Sequence, residues 1–211
     1  MKIISTNIAK PAFVNINGKQ KKTGIFKKPI DAPIFLGKEE VRGDEVSNRK
    51  VHGGEFKACY LFSESHYSYW ENLYPKLEWH YGMLGENLTV KDLDETNIYI
   101  GDIYKVGNAL VQITQPREPC NTFAVKMGTT DILKEFIAHG KPGTYVRVLE
   151  EGFVKAGDVF ELVERAKNSL STSDFFNLLF ANEKNQEHLN RVINNDALPE
   201  KKKAKLIAYL K

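Results

Sequence analysis

Cysteine is scarce, two residues in 211, and a chain with at most one possible bridge is not a disulfide-stapled secreted scaffold. An excess of one charge is lacking too. Thirty Lys and Arg stand against 27 Asp and Glu for a net +3, too even a mixture to leave a nucleic-acid footprint. No window approaches the ~18 uncharged apolar residues of a membrane span, and the opening Met1-Lys2-Ile3-Ile4-Ser5-Thr6-Asn7 turns polar too early for a signal peptide. These absences predict a cytoplasmic protein with reduced thiols and neither a nucleic-acid nor a membrane partner. They also leave each cysteine open to ligation or catalysis as well as to packing.

What is present reads as a mainly β chain with some helices. Short strands are expected over residues 1–8, 11–17, 57–62, 98–100, 104–106, 109–114, 143–149 and 159–163, with turns at Asn17-Gly18, Gly101-Asp102, Gly107-Asn108 and Gly157-Asp158. Closure of such a sheet into a barrel removes its exposed edges, so a barrel-like β domain is predicted over 1–165. Helical spacing marks 65–74, and also 130–138 with Thr129 or Thr130 as cap. Beyond Glu164 three short helical patterns follow: Phe175 to Phe180 after a Ser173 cap, then Leu189 to Ile193, then Ala204 to Leu210 after Pro199. Each is too short to be stable alone, which predicts a small three-helix domain over 170–211, its phenylalanines in the core. Lys201-Lys202-Lys203 with Lys205 reads as the only basic cluster and as a solvated helix face.

Chemistry-bearing residues are few. Cys120 ends Gln115-Pro116-Arg117-Glu118-Pro119-Cys120, directly after an apolar strand. Two prolines within four residues stiffen that loop and interrupt ladder bonding, and Arg117 is a nearby cation able to favour a thiolate. Site and packing are equally good readings of this position; Cys59, inside Ala58-Cys59-Tyr60-Leu61, reads as packing. His52-Gly53-Gly54 joins a proton-carrying imidazole to a backbone able to approach an anion closely, or simply makes a turn. Gly82 to Thr89 gathers Glu86, Asn87 and Thr89 behind two glycines, and Arg147 sits in an apolar strand where it faces solvent or reaches a phosphate. The histidines and cysteines lack zinc-ligand spacing. No dinucleotide fingerprint, phosphate-loop or nucleophile-elbow motif occurs.

The order of these motifs is more specific than any one of them. Val51-His52-Gly53-Gly54, Lys57-Ala58, Tyr67 with Trp70, Gly85-Glu86-Asn87-Leu88, Ile100-Gly101-Asp102, Gln115 to Cys120 and Gly143 to Leu149 together resemble the MOSC family, named for the C-terminal domain of molybdenum cofactor sulfurases. The resemblance spans nearly the whole chain and is greatest to the YiiM-type subgroup, in which a MOSC β-barrel precedes a three-helix domain. It implies Cys120 as molybdenum ligand and catalytic centre, His52 as a catalytic partner, and Gly53, Lys57, Asn87, Arg117 and Arg147 as contacts to the molybdenum cofactor. Soft thiolate donors suit that metal. The family also carries an association with pyridoxal phosphate binding.

The implied activity is reduction of a small N-hydroxylated base such as 6-hydroxylaminopurine, a detoxification. With no flavin or nicotinamide fingerprint in the chain, a separate flavoprotein or iron-sulfur electron donor is implied, with a homodimer open. His52 or Glu86 would supply protons. The alternatives are a cofactor carrier without turnover and a cysteine-dependent hydrolase or sulfur-transfer enzyme using Cys120. Glu118 departs from the smaller or neutral residues common there in relatives, which points to altered substrate preference or donor docking.

Overall fold

A computed structural model describes residues 1–47 and 49–211, without the side chains of Lys50 and Val51; the Val51 side chain of the histidine-glycine motif therefore lies outside the described residues. In chain order the elements begin β1 (Lys2–Ile8), β2 (Ala12–Ile16), β3 (Lys19–Thr23), β4 (Lys28–Ile30), β5 (Ile34–Leu36), α1 (Arg49–His52), β6 (Cys59–Ser63) and α2 (Tyr67–Leu73). The middle of the chain adds β7 (Leu88–Lys91), β8 (Ile103–Val106), β9 (Ala109–Pro116), α3 (Asn121–Met127), α4 (Asp131–His139), β10 (Thr144–Glu150), β11 (Gly152–Val154) and β12 (Glu161–Glu164). Helices α5 (Thr172–Phe180), α6 (Gln186–Ile193) and α7 (Glu200–Ile207) complete it.

Eight strands form one sheet in the order β12-β8-β9-β10-β6-β7-β1-β4, antiparallel except for the parallel pair β6 and β7. The ladder is open, and no closed barrel is formed among the described residues. Its two sides meet instead through a short seam. Ile3 N donates to Asp158 O (2.9 Å), Gly157 N to Ile3 O (2.8 Å) and Phe160 N to Met1 O (3.0 Å), beside a bridge between Lys2 and Val159. Two small pairs stand outside the sheet, β5 with β11 and the hairpin β2-β3.

The expected strand at 98–100 shrinks to an isolated antiparallel bridge of Tyr99 with Ser171, and a turn begins at Ile100. Buried Asp102 accepts from Tyr99 N (2.9 Å) and Ala166 N (2.8 Å) and pairs with Arg165 (2.7 Å), which folds that segment around its carboxylate. The cap of α5 is Ser171 rather than Ser173: Asp174 N donates to Ser171 Oγ at 3.0 Å. Helix α3, directly after Cys120, was not signalled by the sequence, since a run as short as Asn-Thr-Phe-Ala-Val-Lys-Met shows too little periodicity.

Inward residues of β1, β6, β7, β9 and β10 make one apolar core, and Phe175, Leu178, Leu189, Val192 and Leu206 of the C-terminal helices belong to the same core. A second, aromatic cluster forms around Tyr60, Phe62, Tyr67, Trp70, Phe123 and Phe136, with Phe176 of α5 within it and Cys120 and Tyr145 packed against it. Phe175 and Phe176 are buried as expected, and so is Cys59. The basic cluster is not a solvated face throughout. Lys203 is buried and pairs with Glu200 (2.9 Å), and the Lys202 side chain is only 13% exposed.

Candidate functional site

Strand β9 stays buried to its end and stops at Pro116, which has no N–H for a further ladder bond. Pro119 then stiffens the approach to Cys120. That residue is extended (φ −140°, ψ 162°), and its carbonyl accepts from Phe123 N (2.9 Å) and Ala124 N (3.1 Å), so the thiol sits half-buried at the mouth of α3. It borders a cavity of about 290 Å³, whose wall also includes His52, Lys57, Asn87, Arg117 and Glu118. Five of the seven sequence-predicted site residues thus meet in one cavity.

Arg117 is buried, and its guanidinium lies 4.5 Å from the Phe123 ring centroid, 5.1 Å from Tyr60 and 5.7 Å from Phe136. Its Nη1 donates to the Leu84 carbonyl. Gly85, which lies against the Arg117 guanidinium, adopts φ +86°, a left-handed conformation that favours glycine. Lys57 lies over the Tyr145 ring at 5.3 Å. Burial depresses its pKa, and the charge of Lys202 adds to that effect. Burial, followed by the charges of Lys57 and Arg117, lowers His52 to about 4, so its imidazole is neutral at pH 7.

Other predicted residues are committed elsewhere. Asn87 is a scaffold amide: its Oδ1 accepts from Tyr60 N (3.2 Å), and its Nδ2 donates to Asp44 Oδ2 (2.9 Å) and Asn7 O (3.3 Å). Gly53 is not part of the cavity wall; its N–H donates to Arg49 O (3.3 Å), and a Cβ would meet Val46 at 3.0 Å. Arg147 also stands outside the cavity, where Nε donates to Gln112 (2.6 Å) and Nη1 faces Glu55 (3.4 Å). Glu86 is fully buried: Oε1 accepts from Tyr67, Gly82 N (2.7 Å) and Thr89 (2.7 Å), while Oε2 has no partner among the described residues. Lys126, which donates to the carbonyls of Ile25 (2.9 Å) and Gly82 (3.1 Å), is lowered to about 7, chiefly by burial.

Sequence reasoning missed several parts of the site. Tyr60 and Tyr145 read as ordinary strand residues, yet both line the cavity, as do the pairs Lys22–Glu45 (2.9 Å) and Lys27–Asp44. Lys202 of α7 reaches across to Glu118, two residues before Cys120, and pairs with it. No local pattern links positions 84 residues apart.

The cavity wall joins one soft donor, Cys120, to the cations Lys57 and Arg117, beside the carboxylates of Asp44, Glu45 and Glu118. Among the described residues no three His, Cys, Asp or Glu side chains converge to hold a metal ion. A group that carries its own metal ligands and negative charge would find a thiol in Cys120 and cations in Lys57 and Arg117.

Residues 48–161 match the family model described as MOSC domain. Among curated proteins, the uncharacterized protein YflK of Bacillus subtilis is 34% identical over 198 residues, 94% of this chain and 89% of that one. A protein named reductase from Gibberella moniliformis is 34% identical over 151 residues, 70% of this chain and 27% of its own length. Among solved structures, YiiM from Geobacillus stearothermophilus superposes with a TM-score of 0.82 at 32% identity, covering 100% of this chain and 99% of that one.

Proposed function

We propose, on the premise that this chain belongs to the MOSC family and is of its YiiM type, that it is a molybdenum-cofactor-dependent reductase of small N-hydroxylated bases. The observation that carries the reading is the convergence of Cys120, Lys57, Arg117 and His52 on one cavity. When bound, the cofactor would supply two-electron reduction chemistry, for which the overall balance is R–NH–OH + 2H⁺ + 2e⁻ to R–NH₂ + H₂O. Cys120 would be the protein ligand. Lys57 and Arg117 would hold the cofactor's negative charge, Arg117 from a fixed position because three rings and a carbonyl confine it.

His52 enters the reaction as a neutral imidazole. Burial holds it so first and the charges of Lys57 and Arg117 second; an anionic ligand would offset those two charges and so raise its proton affinity, readying it to donate. The cavity, about 290 Å³, is on the scale of a small molecule and does not admit a folded macromolecule. A relative named reductase supports enzymatic activity, and the match covers 27% of that protein.

The test is metal and pterin analysis of protein from a cofactor-competent host, followed by dithionite-driven reduction of 6-hydroxylaminopurine. Stoichiometric molybdenum that is lost in Cys120→Ser, with turnover in the wild type, is the expected result. Full loading without turnover of any N-hydroxylated compound would leave a carrier. Absence of molybdenum from wild-type protein would leave thiol chemistry at Cys120.

A further inference from the structure

The small net charge conceals a strong segregation. Residues 1–30 hold seven lysines and no Asp, Glu or Arg, whereas the other 181 residues, with 23 Lys and Arg against 27 Asp and Glu, carry −4. That run, not the C-terminal lysine cluster, is the most one-signed stretch of the chain. Two of its lysines are turned to internal use: Lys27 pairs with buried Asp44 and Lys22 with Glu45. Lys10, Lys19, Lys21 and Lys28 are exposed and form no ion pair among the described residues.

Topology gathers these charges. Hairpin β2-β3 is separate from the main sheet and packs by its inner face, where Val14 and Ile16 are buried and Thr23 follows. Ile16, Lys21, Lys22 and Thr23 form part of the wall of the cavity that Cys120 borders, so the hairpin is one lip of the site. Lys10 and Lys28 flank its base, since Lys28 is in register with Ile8 at the end of β1. Its outer face carries Phe13, 65% exposed. An exposed aromatic amid unpaired cations at the rim of a redox cavity has the make-up of a docking patch, with an apolar anchor and a charged surround.

We infer that the β2-β3 hairpin and its flanks are the docking surface for an acidic electron-carrier protein, seated at the mouth of the Cys120 cavity. This rests on the reductase reading, which requires an external donor. The patch steers a negatively charged carrier to the lip from a distance, and Phe13 makes the apolar contact once it arrives. Two one-electron transfers from the reduced carrier supply the two electrons of one turnover; the two protons come from solvent through the site. A nucleic acid is a poorer fit, because the remainder of the chain carries a net −4 and gives a long polyanion no continued cationic track, while a small acidic protein touches only the lip.

The experiment uses full-length holoprotein and a purified acidic flavodoxin. Lys10→Glu/Lys19→Glu/Lys28→Glu reverses three exposed charges that are not part of the cavity wall, and Phe13→Ser removes the apolar contact. Wild-type protein is expected to bind the flavodoxin in titration calorimetry, with affinity falling steeply between 50 and 300 mM salt (on the order of a Debye-length change from ~14 to ~6 Å). The triple variant is expected to lose at least tenfold in both affinity and flavodoxin-driven rate, with its dithionite-driven rate unchanged. Lys10→Gln/Lys19→Gln/Lys28→Gln should show a smaller loss of the same kind and serves if the reversal disturbs folding. Unaltered flavodoxin binding in these variants would overturn the proposal. So would salt-independent binding, an equal fall in the dithionite rate, or tighter binding to single-stranded DNA or anionic vesicles. Failure of the reductase reading is separable, because it abolishes wild-type dithionite turnover and leaves the calorimetry to decide the docking surface.

Discussion

His52 is the residue whose role depends most on its surroundings. Desolvation and the neighbouring charges of Lys57 and Arg117 bring it to about 4, while burial and the nearby His66 bring His139 to a similar value. An unfolded histidine titrates near ~6.5. Between those values the unfolded chain binds more protons than the folded one, so stability is full above pH ~6.5 and declines as pH falls toward 4. Urea titrations at intervals from pH 7.5 to 4.5 should show this decline, up to roughly 1 kcal/mol per pH unit for each group, and His52→Gln should make it shallower. A slope identical in the variant would mean that His52 is not held neutral. The depressed value itself was not legible in the sequence, because it depends first on burial in the fold and then on the charges of Lys57 and Arg117. Cys120 was half legible: the prolines disclosed a stiff loop after a strand, but only the fold showed which cavity the thiol borders.

At the scale of elements, the contact between α7 and the Cys120 loop deserves a quantitative test. Lys202 pairs with Glu118, whose side chain is 47% exposed, so solvent screening keeps the pair modest, about 0.5 kcal/mol. A double-mutant cycle on Lys202→Ala and Glu118→Gln should yield a coupling of that order. The same substitution should act on the site, since Lys202 is the largest charge contribution depressing Lys57. Lys202→Ala is therefore expected to move the Lys57 titration, followed by side-chain nitrogen NMR, toward the ordinary lysine range; no movement would place the two ammonium groups too far apart to matter. Local elements were mostly legible where the pattern was long: the strands at 109–116 and 144–150 and helix α4 appear where periodicity and turn glycines put them. Three-residue strands such as β4, β5 and β11 have no period to read, and they exist because partners elsewhere supply their hydrogen bonds. Glu118, conspicuous in the sequence as a departure, acquires its meaning only from an ion pair made across 84 positions.

For the whole molecule, the change of texture near Glu164 is visible in the sequence as three short helical patterns, and helices do form there. What the patterns could not disclose is where their apolar faces go. Phe175, Leu189, Val192 and Leu206 are at most 4% exposed and share one core with Ile3, Leu61, Val90 and Ile113 of the sheet, while Phe176 enters the aromatic cluster against Phe136. Helices of eight or nine residues are not stable alone, so their order is supplied by that shared burial. The expected consequence is one cooperative unfolding transition for the full chain. Tryptophan offers a clean probe, because both indoles, Trp70 and Trp79, lie outside the three C-terminal helices. In urea, fluorescence should report the sheet and aromatic cluster while hydrogen exchange at the amides of Leu189 and Val192 reports α6. Coincident free energies from the two, matched by exchange at Val111 and Ile113 in β9, would establish a single unit. Earlier loss of protection in α6, by 2 kcal/mol or more, would show that the helices detach first, and the Lys202 contact to the Cys120 loop would then be one the molecule can release without unfolding.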